Sequence, residues 1–212
     1  MPFDTATPPV TAVTEKDPSD TARLLKRLGR RSIVFVGIMG AGKTVIGRRV
    51  AAMCNLPFHD SDHEIEKVSR MTIPELFATY GEPEFRALEE RVIERLLRNG
   101  PQVISTGGGA FMSETTRNNI KRRGVSVWLK ADIETLMNRV SRRQNRPLLN
   151  TENPREVMER LMAARCPVYS LADVTIHSRD VSKDQIAAEV IAGLLQHLPA
   201  PRKRKRKKKK PQ

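Results

Sequence analysis

The glycine-rich segment Gly37–Thr44 carries the strongest chemical signal in the sequence. Its residues, Gly-Ile-Met-Gly-Ala-Gly-Lys-Thr, fit the pattern G-x-x-x-x-G-K-[ST] and directly follow the apolar run Ile33–Val36. Glycines allow backbone N–H groups to curl around phosphate oxygens, and the N-terminus of a following helix adds partial positive charge. Lys43 would then reach the β- and γ-phosphates of a nucleotide, and the Thr44 hydroxyl would bind Mg²⁺. A chance Lys-Thr after a glycine turn is the alternative, and the flanking strand and helix patterns disfavour it.

Two carboxylates, Asp60 and Asp62, follow a short strand candidate at residues 57–59. Alternate residues at the end of a strand point the same way, so both side chains can face the phosphate site. One could hold Mg²⁺ through water while the other orients a hydroxyl nucleophile. Two alternatives stay open from these residues alone. The acids could simply cap a helix N-terminus, or the pentad His59–His63 could bind the metal of a metallohydrolase.

Three arginines and a run of glycines stand at unusual places. Arg86 precedes Glu89 by three residues on a predicted helix, so Glu89 could brace its guanidinium. Arg146 lies in a polar, loop-like stretch that could fold over a phosphate, and Arg165 lies near a predicted helix end. The run Gly107–Gly109 follows a buried strand and permits close approach of the backbone to a ligand. Each arginine taken singly is more often solvated surface charge.

The elements that must position these residues alternate between strand and helix. Strands are predicted over 33–36, 57–59, 103–105, 125–129 and 174–177, and helices over 43–54, 62–69, 72–79, 84–98, 113–123, 132–143, 154–166 and 182–198. A loop is predicted over 144–153. Five alternations of strand and helix indicate an α/β fold whose parallel sheet is covered by helices on both faces.

Composition places limits on the class of protein. The 212 residues are 39% hydrophobic and 29% charged, which is typical of a soluble globular protein. The formal net charge is +14, but residues 202–210 are all Lys or Arg and supply nine of these charges, which leaves +5 on the rest. Charge alone therefore does not identify the whole chain as a nucleic-acid binder. Two cysteines without CxxC spacing and the lack of a membrane-length apolar run or signal pattern predict a cytoplasmic protein.

Both ends of the chain are predicted to lie outside the folded domain. Residues 1–30 are interrupted by prolines and indicate a flexible leader, although Asp20 to Arg31 could form a short basic helix through Leu24, Leu25 and Leu28. Residues 200–212 form a polybasic tail whose like charges repel one another, which predicts disorder. The folded domain is predicted over 31–199.

Six short motifs occur together in one order: GxMGAGKT, DSD, GEPEFRALE, STGGG, NRPLL and AARCPVY. In this order and at these separations the sequence resembles shikimate kinase over about residues 32–198. The resemblance implies a P-loop fold of the nucleoside monophosphate kinase type, with a five-stranded parallel sheet ordered 2-3-1-4-5 and a mobile lid at about 142–155. It also implies Mg²⁺-dependent transfer of the γ-phosphoryl group of ATP to the 3-hydroxyl of shikimate. The products are shikimate 3-phosphate and ADP, on the pathway to chorismate and the aromatic amino acids.

The resemblance also implies a role for each matching residue. The nucleotide-binding set is Gly40, Ala41, Gly42, Lys43, Thr44, Val45, Arg139 and Arg146, with Arg139 near the adenine. Thr44, at a position where many members have Ser, and Asp60, through water, match the metal contacts. Lys43, Asp62 and Arg146 match the catalytic residues: Asp62 orients the attacking hydroxyl, and Arg146 is the lid arginine over the transferred phosphate. The shikimate-binding set is Asp62 at the attacking hydroxyl, Arg86 and Arg165, which clamp the shikimate carboxylate, and Gly107, Gly108 and Gly109, which form the backbone wall of the pocket.

The sequence leaves two alternative functions open. Another small-molecule kinase of the same fold, such as a gluconate or nucleoside kinase, should lack both the pair Arg86 and Arg165 and the glycine wall. A polyanion-binding protein with an incidental P-loop would use the tail instead. The expected partners are shikimate and ATP, with weak nonspecific nucleic-acid contact through the tail, no membrane contact and a monomeric state.

Overall fold

Five parallel strands form one sheet in the order β2-β3-β1-β4-β5. The computed structural model describes residues 18–141 and 153–200. The strands are β1 Ser32–Val36, β2 Phe58–Asp60, β3 Val103–Ser105, β4 Gly124–Lys130 and β5 Val174–His177. The helices are α1 Pro18–Leu28, α2 Lys43–Cys54, α3 Ser61–Ser69, α4 Ile73–Arg98, α5 Glu114–Arg123, α6 Ile133–Ser141, α7 Pro154–Tyr169 and α8 Lys183–His197, with a short 3₁₀ turn at Ala110–Met112. The predicted α/β class, the parallel sheet and its strand order are confirmed.

The central strand β1 is buried along its whole length because helices cover both faces of the sheet. Its apolar run and those of β3 and β4 form the middle of the hydrophobic core. The range α4 consists of two helical segments that meet at the non-helical Gly81 (φ 78°, ψ 175°), which agrees with the two helices predicted over 72–79 and 84–98. Pro83 follows two residues later and starts the second part without losing a helical hydrogen bond.

The helix predicted over Asp20 to Arg31 is observed as α1, and it belongs to the packed part of the chain. Leu24 and Leu28 on one face of α1 are completely buried, and the helix packs against α8. The start of the folded domain predicted at residue 31 is therefore too late, because two leucines four residues apart have a partner surface that local sequence does not reveal. Residues 1–17, which make up the rest of the predicted leader, lie outside the described residues.

The carboxyl ends of three adjacent strands meet at one level of the sheet. In the parallel register Phe35 pairs with Ser105, and Asp60 also pairs with Ser105. The segments that follow these strands therefore lie side by side: the loop from Gly37, the start of α3 with Asp62, and the glycine run from Gly107. In doubly wound sheets, ligands bind at this carboxyl edge, between the segments that follow the strands.

Three predicted features fall outside the described residues: the central part of the lid, Arg146 within it, and the tail from residue 201. Across residues 18–141 and 153–200, every helix is too short or too polar to cross a membrane.

Candidate functional site

The loop between β1 and α2 folds as a phosphate cradle. Gly40 and Gly42 take positive φ values of 83° and 96°, which favour glycine, and they turn the backbone toward the first turn of α2. The Lys43 ammonium lies across the loop and donates hydrogen bonds to the carbonyls of Gly37 (2.7 Å) and Ile38 (3.0 Å). A buried ammonium beside exposed helical N–H groups makes this loop a site for an anion.

Three oxygen-bearing side chains meet behind the cradle. The Thr44 hydroxyl donates to Asp60 Oδ2 at 2.8 Å and lies 3.4 Å from the Ser105 hydroxyl. The other carboxylate oxygen of Asp60 accepts a hydrogen bond from the backbone N–H of Asp62 (3.1 Å) and so caps α3. Asp60 therefore does cap α3, but capping uses only one carboxylate oxygen and the other oxygen faces Thr44.

Asp62 carries a buried carboxylate that is only partly compensated. Its Oδ1 atom is buried and has no hydrogen-bond partner among the described residues. Burial raises the pKa of Asp62 above its usual value, the negative charge of Asp60 raises it further, and the positive charges of Lys43 and Arg86 oppose this. A carboxylate with a raised pKa, aimed at a cavity, is suited to accept a proton or to orient a hydroxyl.

Gly107 allows this carboxylate to approach the glycine run. A side-chain carbon added at Gly107 would lie 2.7 Å from Asp62 Oδ1 and 2.8 Å from Glu89 Oε1, so no larger residue fits without displacing an acid. The Gly107 N–H donates to the Ser61 hydroxyl at 3.1 Å, which fixes the run against the start of α3. The glycine is thus needed for close approach, as the sequence pattern indicated.

Two guanidinium groups flank the rest of the run. A side-chain carbon at Gly109 would lie 2.5 Å from Arg86 Nη1, and one at Gly108 would lie 3.5 Å from Arg165 Nη1. Arg86 is braced as predicted: its Nη1 donates to Glu89 Oε2 at 2.7 Å, and Glu89 is only 2% exposed. Burial raises the pKa of the Glu89 carboxyl, and Arg86 partly offsets this effect. The structure therefore brings together both arginines that the sequence pairs.

Tyr169 is a site residue that the sequence analysis missed. Its hydroxyl donates a hydrogen bond to the Gly108 carbonyl, and its ring lies 6.0 Å from the Trp128 ring. Burial raises the pKa of Tyr169 to about 12, and the charge of Arg165 acts in the opposite direction. The motif AARCPVY ends at this residue, so its position in the motif was the only local signal for it.

Arg139 is held by polar partners beside the cradle. It donates to the Ser178 hydroxyl and to the Arg179 carbonyl, both at 2.8 Å. The Ser178 hydroxyl in turn donates to the Ala41 carbonyl at 2.7 Å. This chain of bonds joins α6, the loop after β5 and the cradle. Neither Ser178 nor the rest of that loop has a role predicted from the sequence.

A cavity of about 490 Å³ unites most of these groups. Its lining includes the predicted residues Gly40, Gly42, Lys43, Thr44, Val45, Asp60, Asp62, Gly107, Gly108 and Arg139. It also includes residues that were not predicted, among them Ser105, Thr106, Ser178, Arg179 and Asp180. Arg86, Gly109 and Arg165 lie outside this lining, next to Gly108 at its edge. The predicted position of Arg146 falls in the undescribed segment.

The metallohydrolase alternative finds no support in the described part of the chain. Residues 18–141 and 153–200 hold no group of three or more His, Cys, Asp or Glu side chains arranged to bind a metal ion. His59 instead lies 3.6 Å from Glu64, on the outer edge of the sheet. The acids Asp60 and Asp62 thus belong to the phosphate cradle.

Comparison with known proteins gives one consistent family. A family model described as shikimate kinase matches residues 39–195. A shikimate kinase of Mesorhizobium japonicum is 66% identical over 176 residues, which cover 83% of this chain and 87% of the relative. One of Rhizobium meliloti is 55% identical over 87% of this chain and 97% of its own length. A solved structure of shikimate kinase from Acinetobacter baumannii in complex with shikimate is 36% identical with a TM-score of 0.76, and the match covers 84% of this chain and 97% of that one.

Proposed function

Because the chain belongs to the shikimate kinase family, we propose that it transfers the γ-phosphoryl group of ATP to the 3-hydroxyl of shikimate, giving shikimate 3-phosphate and ADP. One observation carries the assignment of residues: the buried Asp62 carboxylate stands between the cradle lysine Lys43 and the glycine run flanked by Arg86 and Arg165. An acceptor hydroxyl at Asp62 would thus face the end of a nucleotide held in the cradle. The carboxylate of the bound shikimate would then point toward Arg86 and Arg165.

The nucleotide phosphates are assigned to the cradle. Gly40–Gly42 offer backbone N–H groups, and Lys43 can exchange its two carbonyl partners for phosphate oxygens. Phosphoryl transfer needs little covalent chemistry from a protein, so positioning and charge neutralisation supply most of the catalysis. Arg139, held by Ser178 and Arg179, is assigned to the adenine side of the cavity.

Mg²⁺ fits the oxygen cluster behind the cradle. The Thr44 hydroxyl and an Asp60 carboxylate oxygen already lie 2.8 Å apart, and hard oxygen donors are the ligands that Mg²⁺ prefers. A site with only one or two protein oxygens is usual for this ion, because water and phosphate oxygens complete its coordination. We assign Thr44 to direct contact and Asp60 to contact through water. The bound ion would neutralise charge on the transferred phosphoryl group.

The acceptor hydroxyl is assigned to Asp62. Asp62 lines the cavity together with Lys43, so its carboxylate can accept a hydrogen bond from a hydroxyl bound there. The raised pKa of this carboxyl increases its affinity for the proton that the hydroxyl releases. Asp62 thus orients the nucleophile and is placed to take its proton.

The shikimate carboxylate is assigned to Arg86 and Arg165. Guanidinium groups bind a carboxylate through paired hydrogen bonds, which fix the orientation of the acid as well as its position. Glu89 keeps Arg86 in place, and Tyr169 keeps the carbonyl of Gly108 in place between the arginines. The specificity for an acidic acceptor rests on this pair.

Arg146 and the lid around it remain assigned by family resemblance. A lid that closes over the transferred phosphate would exclude water, which otherwise competes as the acceptor. The cytoplasmic location, the monomeric state and the weak nucleic-acid contact of the tail also stay predictions.

The proposed activity is tested by ADP release with shikimate, gluconate, a nucleoside monophosphate or no acceptor. We expect turnover only with shikimate and Mg²⁺, and its loss on addition of EDTA. Comparable turnover with gluconate or a nucleoside monophosphate would assign the chain to another small-molecule kinase of this fold. ATP hydrolysis that no acceptor stimulates would contradict the assignment of Asp62 and the arginine pair.

A further inference from the structure

Two acids of the chain, Glu82 and Glu89, hold the guanidinium group of Arg86. Glu89 accepts a hydrogen bond from Nη1, and Glu82 accepts hydrogen bonds from Nε (3.2 Å) and Nη2 (3.0 Å) through one carboxylate oxygen. A guanidinium group has five N–H donors, so these acids use three of them. The edge formed by Nε and Nη2, at which a guanidinium can bind a carboxylate through paired hydrogen bonds, is therefore occupied by Glu82.

The position of Glu82 follows from the break in α4. Glu82 comes directly after the non-helical Gly81 and lies in the first turn of the second helical segment, four residues before Arg86. The helix dipole favours an acid in this turn, and residues four apart share a face. The dipole acts equally on Glu84 in the same turn, which is exposed and forms no ion pair with the residues that the structure describes. Of these two acids, Glu82 is the one that reaches Arg86.

Glu82 and Glu89 differ in how firmly they are bound to Arg86. The Glu89 side chain is 3% exposed, whereas that of Glu82 is 64% exposed. Burial lowers the pKa of Arg86, but Glu89, and to a smaller extent Glu82, raise it above its usual value. Separation from Arg86 would leave the charge of Glu89 buried and unpaired, which is costly, whereas Glu82 would exchange Arg86 for water. Glu89 is therefore the permanent partner, and Glu82 can be displaced.

The charges around the acceptor end of the cavity favour such a displacement. Arg86 and Arg165 bring two positive charges to the glycine run, and Glu82 and Glu89 bring two negative charges to Arg86. The carboxylate of a bound acceptor would add a further negative charge at the same guanidinium. Like charges at this distance repel, so binding is stronger when Glu82 withdraws. Its withdrawal also frees the edge formed by Nε and Nη2.

We propose that Glu82 competes with the acceptor carboxylate for Arg86 and so sets how strongly the site prefers a negatively charged acceptor. This inference rests on the proposed function, because it takes Arg86 as a group that binds the shikimate carboxylate. Shikimate 3-phosphate carries the same carboxylate, so Glu82 opposes the binding of the product as well and returns to Arg86 when the product leaves. The methyl ester of shikimate lacks this charge and cannot take the place of Glu82.

The test compares the unmodified chain with the variants Glu82→Gln and Glu84→Gln. Both substitutions remove one negative charge from the same helical turn, but the change at Glu84 leaves the partners of Arg86 intact. Calorimetry measures the Kd of shikimate, shikimate 3-phosphate, the methyl ester of shikimate and ATP. Thermal unfolding checks that each variant is folded, and Glu82→Ala serves as a second variant at the same position.

The strength of an exposed ion pair sets the size of the expected effect. Glu82→Gln should lower the Kd of shikimate and of shikimate 3-phosphate by about 1.5- to 5-fold, and Glu82→Ala should act in the same direction. Both should leave the Kd of the methyl ester and of ATP unchanged. Glu84→Gln should change the Kd of none of the four ligands.

Three results would overturn the inference while leaving the proposed function intact. Weaker or unchanged binding of shikimate by both Glu82 variants would show that Glu82 does not compete for Arg86. An equal gain in Glu84→Gln would show that net charge alone governs binding. An equal gain for the methyl ester would show that the effect does not depend on the acceptor carboxylate. An unmodified chain that binds no shikimate would instead contradict the proposed function, and the inference would fail with it.

Discussion

Replacing Asp62 with Asn should abolish most of the activity and at the same time stabilise the protein. The substitution keeps the shape of the side chain but removes its charge and its ability to take a proton. General-base assistance is typically worth about 10²–10⁴-fold, so kcat should fall by that factor while ATP affinity stays near that of the unmodified chain. The gain in stability follows from the environment of the carboxylate.

The size and pH dependence of that gain can be worked from the structure. Burial and the charge of Asp60 raise the pKa of Asp62 above 3.8, so the folded state holds this proton more tightly than the unfolded state does. The free energy of unfolding therefore falls as the pH rises from about 4 through the folded-state pKa, by about 1.4 kcal/mol for each unit of the pKa shift. Asp62→Asn removes the buried charge, so at pH 7 we expect the variant to gain about 1.4 kcal/mol for each unit of that pKa shift, while a polar atom without a partner stays at this position.

Thermal and urea unfolding at pH 7 and pH 4 measure this effect. A gain of 1 kcal/mol should raise Tm by about 2–4 °C for a chain of this size. The gain should shrink from pH 7 to pH 4, because the raised pKa of Asp62 makes its carboxyl take up a proton as the pH falls. Asp132→Asn is the matched control: Asp132 is exposed, both of its oxygens accept hydrogen bonds from Thr135, and Asn caps a helix as well as Asp does. An Asp62→Asn variant no more stable than the unmodified chain at pH 7 would refute the reasoning.

Four further predictions follow from the site and the termini. Arg86→Ala or Arg165→Ala should weaken shikimate binding by about 1.5–3 kcal/mol in calorimetry and leave ATP binding unchanged. The control Arg91→Ala, on the same helix as Arg86, should change the binding of neither ligand. Normal shikimate binding by either clamp variant would exclude the clamp. Tyr169→Phe should raise the KM for shikimate about 5- to 100-fold with little change in kcat, since it leaves the Gly108 carbonyl without its donor; an unchanged KM would mean that the bond does not position the wall. Glu66→Gln removes a negative charge that raises the pKa of Asp62, so the acid limb of the pH profile of kcat/KM should move to lower pH. An acid limb that does not move would show that it does not come from the titration of Asp62. A chain ending at Ala200 should keep shikimate-dependent ADP release, and loss of turnover would place the tail at the active site.

Local sequence was sufficient to predict the parts of the site whose residues lie close together along the chain. The cradle depends on glycines, Lys43 and Thr44 within eight residues between a buried strand and a helix, and each of these features is visible in the sequence. The brace between Arg86 and Glu89 is equally local, since residues three apart on a helix share a face.

Contacts between distant segments could not be derived in this way. The bond from Tyr169 to Gly108 joins residues 61 positions apart, and the bond from Ser178 to Ala41 joins residues 137 positions apart. A single serine or tyrosine belongs to no sequence pattern from which such a distant partner could be predicted. The same holds for α1, whose two leucines show a helical period but whose burial depends on α8, about 170 residues away.

The packing of α1 on α8 has a consequence for the evolution of the family. Without residues 18–28 the chain would expose the part of α8 that now covers Leu24 and Leu28, and it would leave the carbonyls of Leu195 and Leu198 without Arg27. An enzyme of this family with a shorter N-terminus therefore needs polar residues on that face of its last helix. We expect the two features, an added first helix and an apolar outer face on the last one, to be gained and lost together among the relatives.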